Sequence, residues 1–492
     1  LVTVVFMGNY DLKRVHIRRI APWVVGAVWI AVGVCCWPYT ADDAYIVARY
    51  ARNLAQGFGY AFNPGVRSDG VTGPLWVLPG FLASMLGLEP VTAAKAVGLV
   101  CAAAAAFLLV RRAGQRAFGS ATACILLFLL AGQPTPPTWA IGALETGAAT
   151  LVLVGAWLAA SRRPAPQYWV TGLSAGVLFW LRPELAPFGI AMVGWLAWRD
   201  RRRARTAALF ALGGLVSVLL WRYLLFGTWL PLSVWAKPPE LGHGIDYVAR
   251  AVLLTTGAGG AVLYAVALLR GRGDDRLLGW LVLLQLGVLV LAGGDWMPGF
   301  RLIAPLVPLY ALLAARGFVL LSRQRIGGFF GVLCLLTACG MPLVDLATRV
   351  GDLREAGVAR ERVGNDIAGW LRQRAHRVAL VDIGYFGYAS GVEVVDLAGL
   401  VDTGIARLPG GHINKHIPIA LIKERAPDVI LFHSSRPIAF NPQGELLTLH
   451  GYPVETGLAS SAWLRESYIA AKTWRYADRY YYVALLSSTK NK

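Results

Sequence analysis

The sequence predicts a polytopic α-helical membrane protein that ends in a small α/β domain. Three observations carry this. Apolar residues make up 56% of the 492 positions and charged residues only 15%, whereas a soluble domain averages about 25% charged residues. Long apolar segments recur from Ala21 to Asp345 with short polar stretches between them. After Asp345 that rhythm stops, and strand-like runs alternate with helical ones.

The net charge of +19 does not point to nucleic acid. Its basic residues sit in short clusters between apolar segments, the pattern of cytoplasmic loops, and nothing resembles a groove-reading or base-stacking module. The six cysteines lie in or beside apolar segments, with neither metal-ligand spacing nor a disulfide framework.

Lys13, Arg14, Arg18 and Arg19 precede a first span near residues 21–37 and place the N-terminus in the cytoplasm. The span reads as a retained signal anchor, because no small-residue cleavage site follows it. The stretch from Trp37 to Trp76 then lies outside, in a first outer loop over residues 38–90. Within it, residues 74–87 fall short of the ~20 a span needs and read as a helix in the outer interface. Further spans are expected near 91–110, 118–132, 139–160, 168–181, 185–198, 206–226, 247–269, 277–292, 301–319 and 327–345. The clusters Arg111/Arg112/Arg116, Arg162/Arg163, Arg199 to Arg205, Arg270/Arg272/Arg276 and Arg316/Arg323/Arg325 all fall on the cytoplasmic side of that plan. It comprises about 11 transmembrane helices over residues 1–345 and an extracytoplasmic α/β domain over 346–492. The domain's strand-like runs are RVALVDIGYFGY, VEVVDLAGL, PDVILFHS and YYYVALL, with a helix over Glu361–Arg374.

The same topology brings Asp42, Asp43, Asp69, Glu145, Arg182, Glu184, Lys237, His243, Asp295 and Arg301 to the outer ends of spans or to outer loops. Ionisable groups at membrane depth are costly, and usually pair or face a watery cavity. Asp42 suits the cap of a helix over 43–56, which leaves its neighbour free to face such a cavity and deprotonate a hydroxyl; spacing does not say which aspartate does which. Lys237 and Arg301 suit a phosphate. Asp295 suits an acceptor, a metal or a pairing with Arg301. His243 and His412 stand alone in sequence, so a divalent metal is left open.

The run WPYTADDAYIVARYARNLAQGFGYAFNPG, followed by DGVTGPLW, resembles the first outer loop of GT-C membrane glycosyltransferases, above all the AftB-like terminal β-arabinofuranosyltransferase family. The likeness continues in order through Gly142-Ala143-Leu144-Glu145-Thr146, Leu181-Arg182-Pro183-Glu184, Gly227-Thr228-Trp229-Leu230-Pro231 with Ala236-Lys237, Gly293-Gly294-Asp295-Trp296-Met297-Pro298 with Arg301, Asp396-Leu397-Ala398-Gly399-Leu400, and Gly411-His412. Leu232 stands where that family often has Asn, and Leu400-Val401-Asp402-Thr403 where it has Leu-Thr-Asp-Pro.

The resemblance implies a GT-C fold in a bacterial inner membrane, a polyprenyl-phosphate sugar donor, a cell-envelope glycan acceptor and surrounding membrane lipid as partners. Asp42 and Asp43 become the catalytic candidates, with Lys237 and Arg301 on the donor phosphate. Tyr45, Arg49, Asn63, Asp69, Glu145, Arg182, Glu184, Trp229, His243, Asp295, Trp296 and His412 become substrate-binding candidates. Arabinofuranose is the sugar it favours; a mannosyl or aminoarabinosyl enzyme is the near alternative, and a transporter or lipid-binding protein the distant one. No internal repeat supports the transporter.

Overall fold

The computed structural model describes residues 11–115, 119–441, 446–476 and 480–488; Arg116 lies outside them. The chain forms two compact units. One gathers residues 1–37, 94–218 and 239–351, and the other 38–93, 219–238 and 352–492.

The first unit is helical. Among the described residues six helices are long and apolar enough to cross a membrane, and the bent pair Gly119–Ala131 with Thr135–Ile141 makes a seventh if it counts as one span. The chain is therefore a multi-pass membrane protein. The expectation of eleven spans overcounts helices of sufficient length. Thr146–Ala160, Tyr168–Leu181 and Ala186–Arg199 have 15, 14 and 14 residues. At 1.5 Å per residue they reach about 21–23 Å, less than the ~30 Å hydrocarbon core. The span expected at 139–160 is broken at Gly142–Glu145, where Ala143 takes a positive φ of 63°. The span expected to end at Asp345 continues as helix to Ala359.

Packing in this unit depends on small residues. Leu241–Arg270 lies so close to Val307–Leu321 that a Cβ on Gly317 would fall 1.8 Å from the Leu263 carbonyl oxygen. The apolar core runs through Trp29, Leu109, Leu126, Leu153, Phe188 and Leu263.

The second unit is built on a five-stranded sheet in the order β4-β3-β5-β9-β8. After a short hairpin of β1 (Ala61–Asn63) and β2 (Val66–Arg67) come β3 (Arg377–Leu380), β4 (Glu393–Asp396) and β5 (Val429–Ser434). A second hairpin of β6 (Ala439–Phe440) and β7 (Leu446–Thr448) precedes β8 (Tyr468–Tyr476) and β9 (Tyr480–Ser487). Strands β4, β3 and β5 are parallel, while β9 runs antiparallel to β5 and to β8.

Successive side chains of a strand point to opposite faces, and this sheet is apolar on both. Val378, Leu380, Val429, Leu431, Tyr482 and Ala484 join one core. Ala379, Ile430, Phe432, Val483 and Leu485 join the other. The first core also takes Ile46, Tyr50 and Phe62 from the stretch after Trp37, so that stretch belongs to the sheet's own unit. RVALVDIGYFGY is not one strand: β3 stops at Leu380, and Ile383–Ser390 is a helix. Residues 74–87 form a 3₁₀ turn and the helix Val77–Met85, which leaves Leu78, Leu82, Met85 and Leu86 exposed.

Candidate active site

The helix Asp42–Ala55 begins at Ala41, not with a capping aspartate. The Asp42 carboxylate instead caps another helix: its Oδ2 accepts from the Gly384 amide at 3.0 Å and its Oδ1 from the Tyr385 amide at 2.9 Å. These are among the orphan donors of a helix N-terminus, where a negative charge is favoured. The approach requires glycine, since a Cβ at Gly384 would sit 2.1 Å from the Asp42 carbonyl oxygen. Arg49 Nη1 donates to the Gly387 carbonyl and Arg52 Nη2 to that of Tyr388, placing cations at the opposite pole. One helix thus grips both ends of another.

Burial, and next the charge of Asp382, push Asp42 up to about 6; Arg360 and the Tyr385 amide oppose them. Arg360 donates to the Thr40 carbonyl at 2.6 Å and lies over the rings of Tyr45 and Tyr385. Tyr45 is edge-on to Tyr385, with ring centroids 4.9 Å apart.

Asp43 is the next residue, about 100° further round the helix. It lies within electrostatic reach of His412, as does Lys237. Burial first, and Lys237 second, press the His412 imidazole down to about 3, so it is neutral at physiological pH. Its Nδ1 is buried with no hydrogen-bond partner. A carboxylate and an ammonium from two separated stretches of chain therefore lie within electrostatic reach of a neutral imidazole from a third.

Two buried cations place those stretches. Arg222 pairs with Asp69 at 2.7 Å and donates to the Thr72 carbonyl at 2.8 Å. The Asp69 carbonyl then accepts from the Leu232 amide, which starts the helix Leu232–Ala236 leading to Lys237. Lys415 Nζ donates to the carbonyls of Trp235 at 3.3 Å, Ala406 at 2.9 Å, Leu408 at 3.0 Å and Gly410 at 3.1 Å. It ties the Lys237 segment to the loop bearing His412. Asp396, fully buried, accepts from the amides of Ala398 and Val401 and shapes the other wall of that loop.

The first unit holds a separate polar cluster. Arg182 pairs with Glu145 at 2.8 Å and with Glu184 at 3.3 Å. Asp295 pairs with Arg301 at 2.9 Å, the pairing among the three uses left open for it. Arg182 Nη1 reaches the Arg301 carbonyl at 3.4 Å. Two non-glycine residues beside these groups, Ala143 and Phe300, have positive φ values of 63° and 58°. Such strain persists only where surroundings over-determine it, and it gathers at functional sites.

Other candidates serve the scaffold. Arg49 is 1% exposed and donates to the carbonyls of Phe62, Gly387 and Val392. Asn63 pairs with both backbone groups of Val394, and Asp69 is held by Arg222. They reach a substrate only through the residues they position. Trp229 is half exposed and stacks on Tyr223; Trp296 and His243 are exposed. Among the described residues no three His, Cys, Asp or Glu side chains cluster closely enough to hold a metal ion. Arg222, Arg360 and Lys415 escaped the sequence reading. Arg360 and Lys415 lie in segments that read as ordinary polar stretches, whereas Arg222 is a lone charge in the apolar run SVLLWRYLLF, and that costly placement is the signal that marks it.

Three comparisons bear on this arrangement. Residues 352–485 match the family described as a domain of unknown function, DUF8728. A terminal β-(1→2)-arabinofuranosyltransferase of Mycobacterium tuberculosis is 28% identical over 207 residues, 41% of this chain. The match spans 28% of that relative's length. The crystal structure of ArnT from Cupriavidus metallidurans in the apo state superposes with a TM-score of 0.56 and 12% identity, over 93% of this chain and 97% of that one. The chain therefore shares the fold of that structure, a helical membrane unit with a C-terminal sheet region.

Two outcomes follow. Gly384→Ala forces the two helices apart and lowers stability by about 1–3 kcal/mol, the usual cost of overpacking, read by thermal unfolding. The second concerns pH. Burial raises the Glu455 carboxyl from 4.5 to about 8 and Asp396 from 3.8 to about 6. The folded chain then holds protons that the unfolded chain releases. This contribution is greatest below the unfolded values and is lost as pH rises through the folded ones. Thermal stability should fall between about pH 4.5 and 8, and Glu455→Gln should flatten the upper part of that slope.

Proposed function

We propose that this chain is a membrane glycosyltransferase that moves a sugar, arabinofuranose in our reading, from a polyprenyl-phosphate donor to a cell-envelope glycan on the outer face of a bacterial inner membrane. The observation that carries the proposal is that Asp43 and Lys237 both lie within electrostatic reach of His412 in one unit. The arabinofuranosyltransferase match and the shared fold support the class of reaction.

The two aspartates divide the work. Asp42 is engaged by two backbone amides and anchors the loop. Asp43 is the general base, taking the proton of the acceptor hydroxyl as that oxygen forms its bond to the anomeric carbon. The bond from that carbon to the donor phosphate breaks, and the electron pair leaves with the phosphate. The Lys237 ammonium has no hydrogen-bond or ion-pair partner among the described residues, so it is available to receive that charge. Neutral His412 stands beside these two groups without adding charge to the site. A lipid phosphate leaves readily, so position and charge stabilisation supply most of the acceleration. Arg301 is engaged by Asp295 and takes a phosphate only by exchanging that partner.

The test offers purified protein a panel of polyprenyl-phosphate sugars with arabinofuranose, mannose and aminoarabinose heads. Wild type should transfer one of them. Asp43→Asn should lower turnover by about 10²–10⁴, the usual contribution of a general base. Lys237→Gln should mainly impair use of the donor. No transfer or donor hydrolysis by folded wild type with any head group would sink the proposal.

A further inference from the structure

Three guanidiniums converge at the C-terminal end of the helix Ile383–Ser390. Arg49 and Arg52 come from Asp42–Ala55, and Arg372 comes from Asn365–Arg374. Together with Gln56 and Tyr388 they line a cleft of about 280 Å³ whose walls contain no Asp or Glu.

The donors are unequally engaged. Arg49 is buried, with Nε, Nη1 and Nη2 all bonded to protein oxygens. Arg52 gives only Nη2 to the Tyr388 carbonyl, at 2.8 Å, and its guanidinium carbon lies 4.3 Å from the centroid of the Tyr388 ring. Arg372 donates Nε to the Ser390 carbonyl at 3.3 Å and Nη2 to that of Ala389. A guanidinium has five N–H donors, so Arg52 and Arg372 keep most of theirs for the cleft.

Charge is not balanced there. None of the three arginines forms an ion pair among the described residues. The helix end offers a charge of only about −0.5. Glu393 lies within electrostatic reach of Arg49 but is paired with Arg377 at 2.8 Å; Glu89, which accepts from the Tyr388 hydroxyl, keeps its negative charge just outside the cleft. Even with Glu89 counted, about one and a half positive charges remain in excess, in planar forks that suit an oxyanion.

We propose that this cleft binds a phosphate group, gripped by Arg52 and Arg372 with Arg49 behind them as fixed positive charge. The phosphate is either soluble or the diester of a lipid headgroup. This site involves neither Asp43 nor Lys237 and stands whether or not the chain transfers sugar.

The experiment uses full-length wild type, the double variant Arg52→Gln/Arg372→Gln, and Gln56→Glu. Gln56 is exposed, so its replacement leaves the fold intact and supplies a carboxylate that competes for both arginines. Inorganic phosphate is titrated by calorimetry against chloride at matched ionic strength. Retained lipid is counted by native mass spectrometry after reconstitution in phosphatidylcholine with or without phosphatidylglycerol. Wild type should bind phosphate or retain the anionic lipid, and both variants should do so at least about tenfold more weakly, as expected for lost charge-assisted bonds. A response to inorganic phosphate assigns a soluble ligand; retention of phosphatidylglycerol alone assigns a headgroup. Binding of neither by wild type, or equal binding by wild type and Gln56→Glu, overturns the proposal even if the double variant fails to fold.

Discussion

A single carboxylate at the head of a helix organises the second unit. Asp42 meets the amides of Gly384 and Tyr385, which lie about 340 positions away in the chain. From the same helix Arg49 and Arg52 meet the carbonyls at the other end. Opposite charges at the two poles of Ile383–Ser390 match its dipole, so the helix after Trp37 docks in one direction and one register. Everything the site needs from that stretch, Asp43 above all, inherits its position from this contact.

The rest of the candidate site is held by the same device, a buried cation bonded to carbonyls. Lys415 binds four of them and joins the strand-free segments carrying Lys237 and His412. Arg222 fixes Asp69 and, through its carbonyl, the start of the short helix before Lys237. Loops without regular structure cannot satisfy their own backbone groups, and in this unit lysine and arginine supply the missing partners. The charges that define the site are thus few, while those that frame it are many.

Much of the fold was legible. Hydropathy disclosed a multi-pass membrane protein, and the change of composition after Asp345 disclosed a mixed domain, because both follow from local composition. Six or seven of the described helices are long enough to cross a membrane, against about eleven expected spans, because helices such as Tyr168–Leu181 are apolar but short and composition does not report the length at which a helix breaks. The break at Ala143 was invisible because alanine gives no sign of a positive φ. Ile383–Ser390 was read as strand from its aromatic and aliphatic residues; its helical state depends on a carboxylate supplied from far away in the chain. The sequence singled out Asp42 and Asp43 as a pair but could not separate them, because the amides that engage Asp42 are distant in sequence. Arg49 sits at helical spacing from Asp42 and read as a substrate ligand for the same reason: its carbonyl partners come from elsewhere.

The docking of the two helices is tested most directly by hydrogen exchange of the amides of Gly384 and Tyr385. Wild type, Asp42→Ala and Asp43→Asn are compared under conditions where all three are folded. The account predicts that Asp42→Ala loses protection across residues 383–390 and across 42–55 together, while Asp43→Asn retains it in both. Full protection of residues 383–390 in Asp42→Ala would contradict the central role of this contact.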